Sequence, residues 1–99
     1  MMGPGKADLL DAIARTGSIA AAGREMGMSY RRAWALVETM NGMFNAPLVE
    51  RSRGGASGGG ARITPTGQSV LDAYRELEHA ARAAGAAPLK RLQTLVRDD

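Results

Sequence analysis

A chain of 99 residues has the size of one domain and can bury a modest core. Hydrophobic residues make up 44% of the chain, which excludes a disordered chain. Cysteine is absent, which excludes disulfides and thiolate metal sites. The formal net charge is +3. No apolar run approaches the roughly 20 residues that span a bilayer, so we predict no membrane segment. With no cysteine in the chain, a cytoplasmic location is the default expectation.

Positive charge is concentrated in the middle of the chain. Between residues 15 and 62 there are seven Arg and three Glu, a balance of +4, whereas the rest of the chain holds six basic and seven acidic residues. If the partner is a polyanion, this middle segment is the part that is expected to bind it.

Three helices are predicted in the first half of the chain. Apolar residues recur at helical spacing until Thr16-Gly17, and Ser18 is a good N-cap for a short second helix that Gly27 ends. Ser29 caps a third helix over residues 29–41. A gap of a few residues centred on a glycine is typical of a helix-turn-helix motif, although a generic helical hairpin explains this stretch alone equally well.

The pattern changes to short strands at residues 48–52 and 61–64, which a glycine-rich stretch joins. An interdomain linker is disfavoured because neither half of the chain has a core of its own. A phosphate-binding loop is disfavoured because the stretch lacks a Gly-Lys-Ser/Thr ending and runs into a strand. We therefore predict a hairpin tip, with an idle mobile loop as the alternative. Its glycines are Gly54, Gly55, Gly58, Gly59 and Gly60.

Thr64 and Pro65 are the N-cap and the first residue of a long fourth helix. The segment 85–88 is expected to break it, and a last short helix is expected to follow. The predicted fold is therefore mostly α with a two-stranded β wing, a winged helix-turn-helix over residues 1–64 and a long dimerisation helix plus a short C-terminal helix over residues 65–99, in a single domain. The apolar stripe of the long helix exceeds what one small domain needs, which predicts a homodimer interface. Its predicted residues are Val70, Leu71, Tyr74, Leu77 and Ala81.

Candidate DNA-binding residues lie in the third helix and at the base of the hairpin. The first turn of a recognition helix is where side chains reach base edges in the major groove, and arginine pairs with guanine or with phosphate. A solvated charged face is the alternative for Arg31 and Arg32, but two arginines in a first turn oppose the helix dipole unless an anion is bound. The predicted set is Ser29, Tyr30, Arg31, Arg32, Ala35, Arg51, Arg53 and Arg62. Trp34 is expected to pack at the edge of the core against the hairpin.

Catalytic and metal sites find no support in the sequence. The single His79 has no carboxylate and serine partners in a catalytic pattern, and the acidic residues lack the spacing of metal ligands. We therefore predict no enzymatic activity, no metal and no cofactor.

Several motifs together resemble the N-terminal DNA-binding domain of the ModE-type, molybdate-responsive regulators of bacteria. They are TGSI at 16–19, SYRRAW at 29–34, ETMN at 38–41, LVERS at 48–52 and the Thr-x-x-Gly step at 64–67. The chain is more distantly similar to LysR-type regulators. The resemblance, from about residue 5 to residue 84, implies a cytoplasmic, dimeric transcription regulator in which the long helix after the wing forms most of the dimer contact.

The leading hypothesis is a homodimeric regulator that binds double-stranded DNA at an inverted-repeat operator. Molybdate sensing is not expected, because the chain ends at Asp99, where the relatives continue into molybdate-binding domains. The operator, the regulated genes, the direction of regulation and any small-molecule effector are not predicted. The alternative is a winged-helix module that serves protein–protein interaction or dimerisation and does not read DNA.

Overall fold

The computed structural model describes residues 2–52 and 60–97. Helices dominate it, and the elements follow the predicted order. They are α1 (Pro4–Thr16), α2 (Ile19–Glu25), α3 (Tyr30–Met43), β1 (Val49–Ser52), β2 (Gly60–Ile63) and α4 (Pro65–Leu95). The predicted class, mostly α with a two-stranded wing and a long final helix, is confirmed.

Local signals set the boundaries of the first three helices. Gly17 ends α1 in the left-handed conformation (φ 70°), and Gly27 takes the same conformation (φ 68°) between α2 and α3. The Ser18 side chain caps α2 by accepting a hydrogen bond from the Ala21 N–H, and Ser29 caps α3 in the same way. The predicted caps are therefore confirmed.

The helix-turn-helix packs closely because α2 carries a glycine where it crosses α3. A Cβ added at Gly23 would lie 3.2 Å from the Cβ of Ala33, which is tighter than ordinary packing. Both residues are buried together with apolar side chains of α1 and α3. The largest fully buried side chains are Leu9, Leu10, Ile13, Val37, Met40 and Leu48.

The hairpin is antiparallel, and its register pairs Val49 with Ile63, Glu50 with Arg62 and Arg51 with Ala61. The N–H of Ala61 also donates to the carbonyl of Gly17 at 2.9 Å, so β2 is bonded to the turn between α1 and α2. The base of the wing is therefore tied to the helix-turn-helix by backbone as well as by packing.

Thr64 joins the hairpin to α4. Its hydroxyl accepts from the Gly67 N–H at 2.9 Å and donates to the Pro47 carbonyl at 2.7 Å. Pro65 follows as the first helical residue, which confirms the predicted start of α4. A Cβ at Gly67 would collide with the Leu48 carbonyl, so the helix can approach the start of β1 only with glycine at this position.

The predicted break at residues 85–88 is wrong, and the described residues up to 97 contain no separate C-terminal helix. Helix α4 runs 31 residues from Pro65 to Leu95 with Pro88 inside it. Gly85 does not take the left-handed conformation that ends helices. The ring of Pro88 removes one helical hydrogen bond. The residues around it favour continuation of the helix, because alanines precede Pro88 and leucine, lysine and arginine, which also have high helix propensity, follow it.

Helix α4 is held against α1 by one arginine. Arg75 lies 2.9 Å from Asp8, 3.5 Å from Asp11 and 2.9 Å from Glu78. Hydrogen bonds to Glu78 and Asp8 raise the pKa of the Arg75 guanidinium above its ordinary value. This cluster orients the long helix relative to the three-helix core.

Candidate nucleic-acid interface

The exposed face of α3 begins at its capped N-terminus. The Ser29 hydroxyl accepts from the Arg32 N–H at 3.1 Å, which fixes the first turn. Arg31, Arg32 and Ala35 are exposed, and Tyr30 is 52% exposed. The side chains of Arg31 and Arg32 make no ion pair or hydrogen bond with any other residue in the described part of the chain. Their charge is therefore available to an anion.

The outward direction of these side chains is set by the opposite face of the helix. Ala33, Val37 and Met40 are buried against α1 and α2, with at most 1% of each exposed. At about 100° per residue, this burial directs Arg31 and Ala35 away from the core. Trp34 lies between the two faces and is partly buried against the core.

The wing meets α3 at Trp34. The guanidinium carbon of Arg51 in β1 lies 4.6 Å from the centroid of the Trp34 ring, in cation–π geometry. The predicted packing of Trp34 against the hairpin is therefore confirmed. Because Trp34 follows Arg31 by one helical turn, this contact places Arg51 beside the exposed face of α3. A cationic surface made by Arg31 and Arg51 results, and we call it the arginine surface. Arg32 lies about 160° around α3 from Trp34, on the other flank of the helix.

Arg62 belongs to the other side of the hairpin. Side chains alternate along a strand, so Arg62 and its cross-strand partner Glu50 share the face opposite to Arg51. The Arg62 guanidinium binds the Glu50 carboxylate through Nε at 2.9 Å and Nη2 at 2.8 Å. The structure therefore does not bring Arg62 together with the arginine surface, and its predicted DNA contact requires competition with Glu50.

The remaining wing residues divide in two. Gly60 is the first residue of β2, where an added Cβ would lie 2.5 Å from the Ser52 hydroxyl, so this position accepts only glycine without a shift. Arg53, Gly54, Gly55, Gly58 and Gly59 lie outside the described residues. Their predicted roles stay predictions.

A further ion pair makes one arginine near the helix-turn-helix a poor candidate for binding an anion. Arg15 at the end of α1 donates two hydrogen bonds, of 2.8 and 3.2 Å, to the Glu25 carboxylate at the end of α2. This contact raises the pKa of Arg15 and lowers the pKa of Glu25. The positive charge of Arg15, which belongs to the basic middle segment, is therefore paired within the protein and links α1 to α2.

Comparison with known proteins identifies the family. Residues 6–68 match the family of bacterial regulatory helix-turn-helix proteins of the lysR type. The chain belongs to this LysR family. The matched range runs from α1 to the first turn of α4, and thus contains every described residue of the arginine surface.

Similar proteins include regulators and molybdenum proteins of bacteria. The molybdenum-pterin-binding protein MopA of Rhodobacter capsulatus is 48% identical over 88% of this chain and 36% of its own length. The molybdenum transport protein ModE of Herbaspirillum seropedicae is 47% identical over 71% of the chain and 26% of its own length. The chain thus spans about a third of the length of these relatives, or less.

Among solved structures, a complex of the CbnR DNA-binding domain with DNA is similar to this chain. It has a TM-score of 0.70 at 25% identity and covers 91% of this chain and 99% of its own. This chain therefore contains nearly all of the winged-helix fold seen in that LysR-type domain.

The predicted dimer residues of this LysR-family chain are only partly available to a partner. Leu71 is corrected to a core residue, because it is 6% exposed and packs in the core of its own protomer. Val70 and Tyr74 are partly buried against the same core. Leu77 is 63% exposed and Ala81 is exposed. Toward the C-terminus, α4 presents further exposed apolar side chains, Leu89, Leu92 and Leu95.

Asn41 is a positioning residue that the sequence interpretation missed. Its carboxamide bonds the backbone of Leu48 and Val49, so it connects the end of α3 to the start of β1. The only signal in the sequence is an asparagine near the end of a predicted helix, shortly before an extended segment.

Other site types have no structural support in residues 2–52 and 60–97. Those residues contain no group of three or more His, Cys, Asp or Glu side chains arranged to hold a metal ion. None of the described helices combines the length and the apolar character required to cross a bilayer.

Proposed function

We propose that this protein is a transcription regulator that binds double-stranded DNA with sequence preference, acts as a homodimer in the cytoplasm and has no enzymatic activity. Helix α3 enters the major groove, and the wing lies on the DNA backbone or in the minor groove. The observation that carries the proposal is the contact between Arg51 and Trp34, because it unites the wing and the reading helix in one cationic surface.

Each predicted contact residue at the start of α3 has a distinct task. Arg31 and Arg32, in the first turn of α3, suit a bidentate contact to guanine O6 and N7 or a contact to phosphate. Ser29 and the N-terminal N–H groups of α3 favour a phosphate oxygen next to them. The exposed Ala35 leaves room for the groove or touches a thymine methyl. Tyr30, at the flank, offers its hydroxyl to the backbone.

The homodimer follows from the apolar side chains that α4 exposes beyond its own core. A two-fold axis through paired α4 helices requires the same surface on both protomers. Two α3 helices separated by about 34 Å would then read two half-sites one turn apart, which favours an inverted-repeat operator. CbnR, whose DNA-binding domain is similar in fold, has been crystallised with DNA.

The test begins with selection of bound sequences from random duplex DNA. For the selected duplex, the dissociation constant is then measured as a function of salt. Binding should weaken steeply with salt, because phosphate contacts release counterions. If Arg31 contacts a base, Arg31→Ala should cost about 1–3 kcal/mol on the selected duplex and much less on a scrambled one.

Arg97→Ala is the matched control. Arg97 follows the end of α4, roughly 45 Å along the helix from the wing, so this variant removes the same charge from a distant position. Equal losses of affinity for Arg31→Ala and Arg97→Ala would show that DNA binding is nonspecific charge attraction. Failure to enrich any duplex, together with a stable complex with another protein, would overturn the proposal in favour of a protein-interaction module.

A further inference from the structure

We propose that Trp34 is a positioning residue that holds the guanidinium of Arg51 ready for a phosphate oxygen of the DNA backbone. This inference rests on the proposed function and deepens it. It assigns the flank of α3 to a preorganised phosphate contact, in which the indole ring itself does not touch DNA.

Trp34 and Arg51 differ in how far their side chains are buried. Trp34 is partly buried and packs against the core, so its ring is fixed by neighbouring side chains. Arg51 is exposed and projects from the edge of a short strand. A long arginine side chain loses rotamer freedom when it binds a ligand, and a ring that already restricts it reduces this loss.

The contact with Trp34 leaves hydrogen-bond donors of Arg51 available. The guanidinium carbon of Arg51 lies 4.6 Å from the ring centroid, so the contact uses the positive charge and no oxygen acceptor. The N–H donors that do not point at the ring remain available for an anion. In the described part of the chain, the Arg51 side chain makes no ion pair and no hydrogen bond.

Arg62, on the same hairpin, differs from Arg51 in its partners. Arg62 contacts the Glu50 carboxylate through Nε and Nη2, so two of its five N–H donors are in use and its charge is partly neutralised. A phosphate that approaches the wing therefore meets one arginine paired with a carboxylate and another that has no acidic partner in the described part of the chain. The hairpin thus directs phosphate binding to the side that faces α3.

The experiment is a double-mutant cycle on the duplex selected above, with Arg51→Ala, Trp34→Leu and the double variant. Arg51→Ala should weaken binding about tenfold in the wild-type background and reduce the salt slope by about one. In the Trp34→Leu background the same change should cost only about twofold, since an unrestrained Arg51 contributes less. Trp34→Phe retains a ring and should retain most of the coupling. Equal losses in both backgrounds, or tighter binding by Trp34→Leu, would overturn the inference.

A second measurement does not depend on the folding of the Trp34 variants. Arg51→Lys keeps the charge but lacks the flat group that stacks on an aromatic face, so it should weaken binding about fivefold, whereas Arg97→Lys should have no effect. Because Trp34 is the only tryptophan, its fluorescence should also change in Arg51→Ala without DNA. Unchanged fluorescence, or full affinity of Arg51→Lys, would overturn the inference.

Failure of the inference and failure of the proposed function have different signatures. If a duplex is enriched and Arg31→Ala weakens its binding, but residues 34 and 51 show no coupling, only the inference is overturned. If no duplex is enriched, the proposed function is overturned and the inference with it.

Discussion

Asn41 bonds the backbone of Val49 in both directions: its Nδ2 donates to the Val49 carbonyl and its Oδ1 accepts from the Val49 N–H, each at 3.0 Å. The same oxygen accepts from the Leu48 N–H at 2.8 Å. One side chain near the end of α3 therefore satisfies the backbone groups with which β1 begins. The placement of the wing relative to α3 therefore depends on this amide.

Replacement of this amide should loosen the wing. We expect Asn41→Ala to lower the free energy of unfolding by about 2–3 kcal/mol, because it leaves backbone groups of Leu48 and Val49 without partners. Thermal or urea denaturation measures the loss, and the fluorescence of Trp34 should report the displaced hairpin. Asn45→Ala is the control, since Asn45 is exposed. Equal stability of the two variants would show that the Asn41 hydrogen bonds contribute nothing net.

A glycine fixes the approach of α4 to the start of β1. Gly67→Ala should destabilise the fold by about 2 kcal/mol or more, because its Cβ would collide with the Leu48 carbonyl and backbone cannot move away cheaply. Gly42→Ala, also within a helix but with open space around an added Cβ, should be neutral or stabilising by up to about 1 kcal/mol. Denaturant titration of both variants is the measurement, and an equal response would argue against the close approach.

The parts of the fold that were predicted correctly have local signals. Ser18, Ser29 and Thr64 cap helices through their own side chains, and Gly17 ends α1 by its own backbone conformation. Each of these signals acts within a few residues, so a single sequence is enough to find it.

The parts that were missed depend on tertiary contacts or on competing preferences. The apolar stripe of α4 was visible, but whether Leu71 faces its own core or a partner depends on how α4 packs against the rest of the protomer. No local sequence pattern indicates that Arg51 lies over Trp34, 17 positions earlier, or that Arg62 is paired with Glu50. At Pro88 the local rule was misleading, because one lost hydrogen bond did not end a helix rich in alanine.

The Arg15 and Glu25 pair predicts a pH dependence of stability. The hydrogen bonds from Arg15 lower the pKa of Glu25, so the folded state binds protons at this site less readily than the unfolded state. The contribution is therefore present above the ordinary glutamate pKa, about 4.3, and is lost as the pH falls through the lowered value. Melting temperatures of the wild type and Glu25→Gln should differ at pH 7 and converge toward pH 3.

Glu76→Gln is the control for this measurement, because Glu76 is exposed on α4 and makes no ion pair in the described part of the chain. Its melting temperature should follow the wild type across the same range. A difference between wild type and Glu25→Gln that does not change with pH would contradict the assignment.

Glu50 is expected to oppose DNA binding. Glu50→Gln removes a negative charge from the wing and weakens the competitor for Arg62, so the selected duplex should bind about threefold more tightly at low salt. The gain should disappear at high salt, where exposed charges are screened. Glu76→Gln makes the same charge change on α4 and should leave the dissociation constant unchanged. Unaltered binding by Glu50→Gln would place Arg62 away from the DNA.

The exposed part of α4 is expected to carry the dimer. Leu92 is 64% exposed in the protomer, so Leu92→Glu should leave the folded protomer intact. It should nevertheless weaken dimerisation at least about 30-fold, because a two-fold interface presents the buried charge twice. Sedimentation at micromolar concentration distinguishes a wild-type dimer from a variant monomer.

Thr94→Glu provides the matched control, because it introduces the same charge at an exposed position about 160° around the helix from Leu92. This variant should remain dimeric. If it dissociates as readily as Leu92→Glu, charge repulsion along α4 is responsible and the apolar stripe is not the contact. A wild-type protein that sediments as a monomer would contradict the dimer itself, and with it the expectation of an inverted-repeat operator.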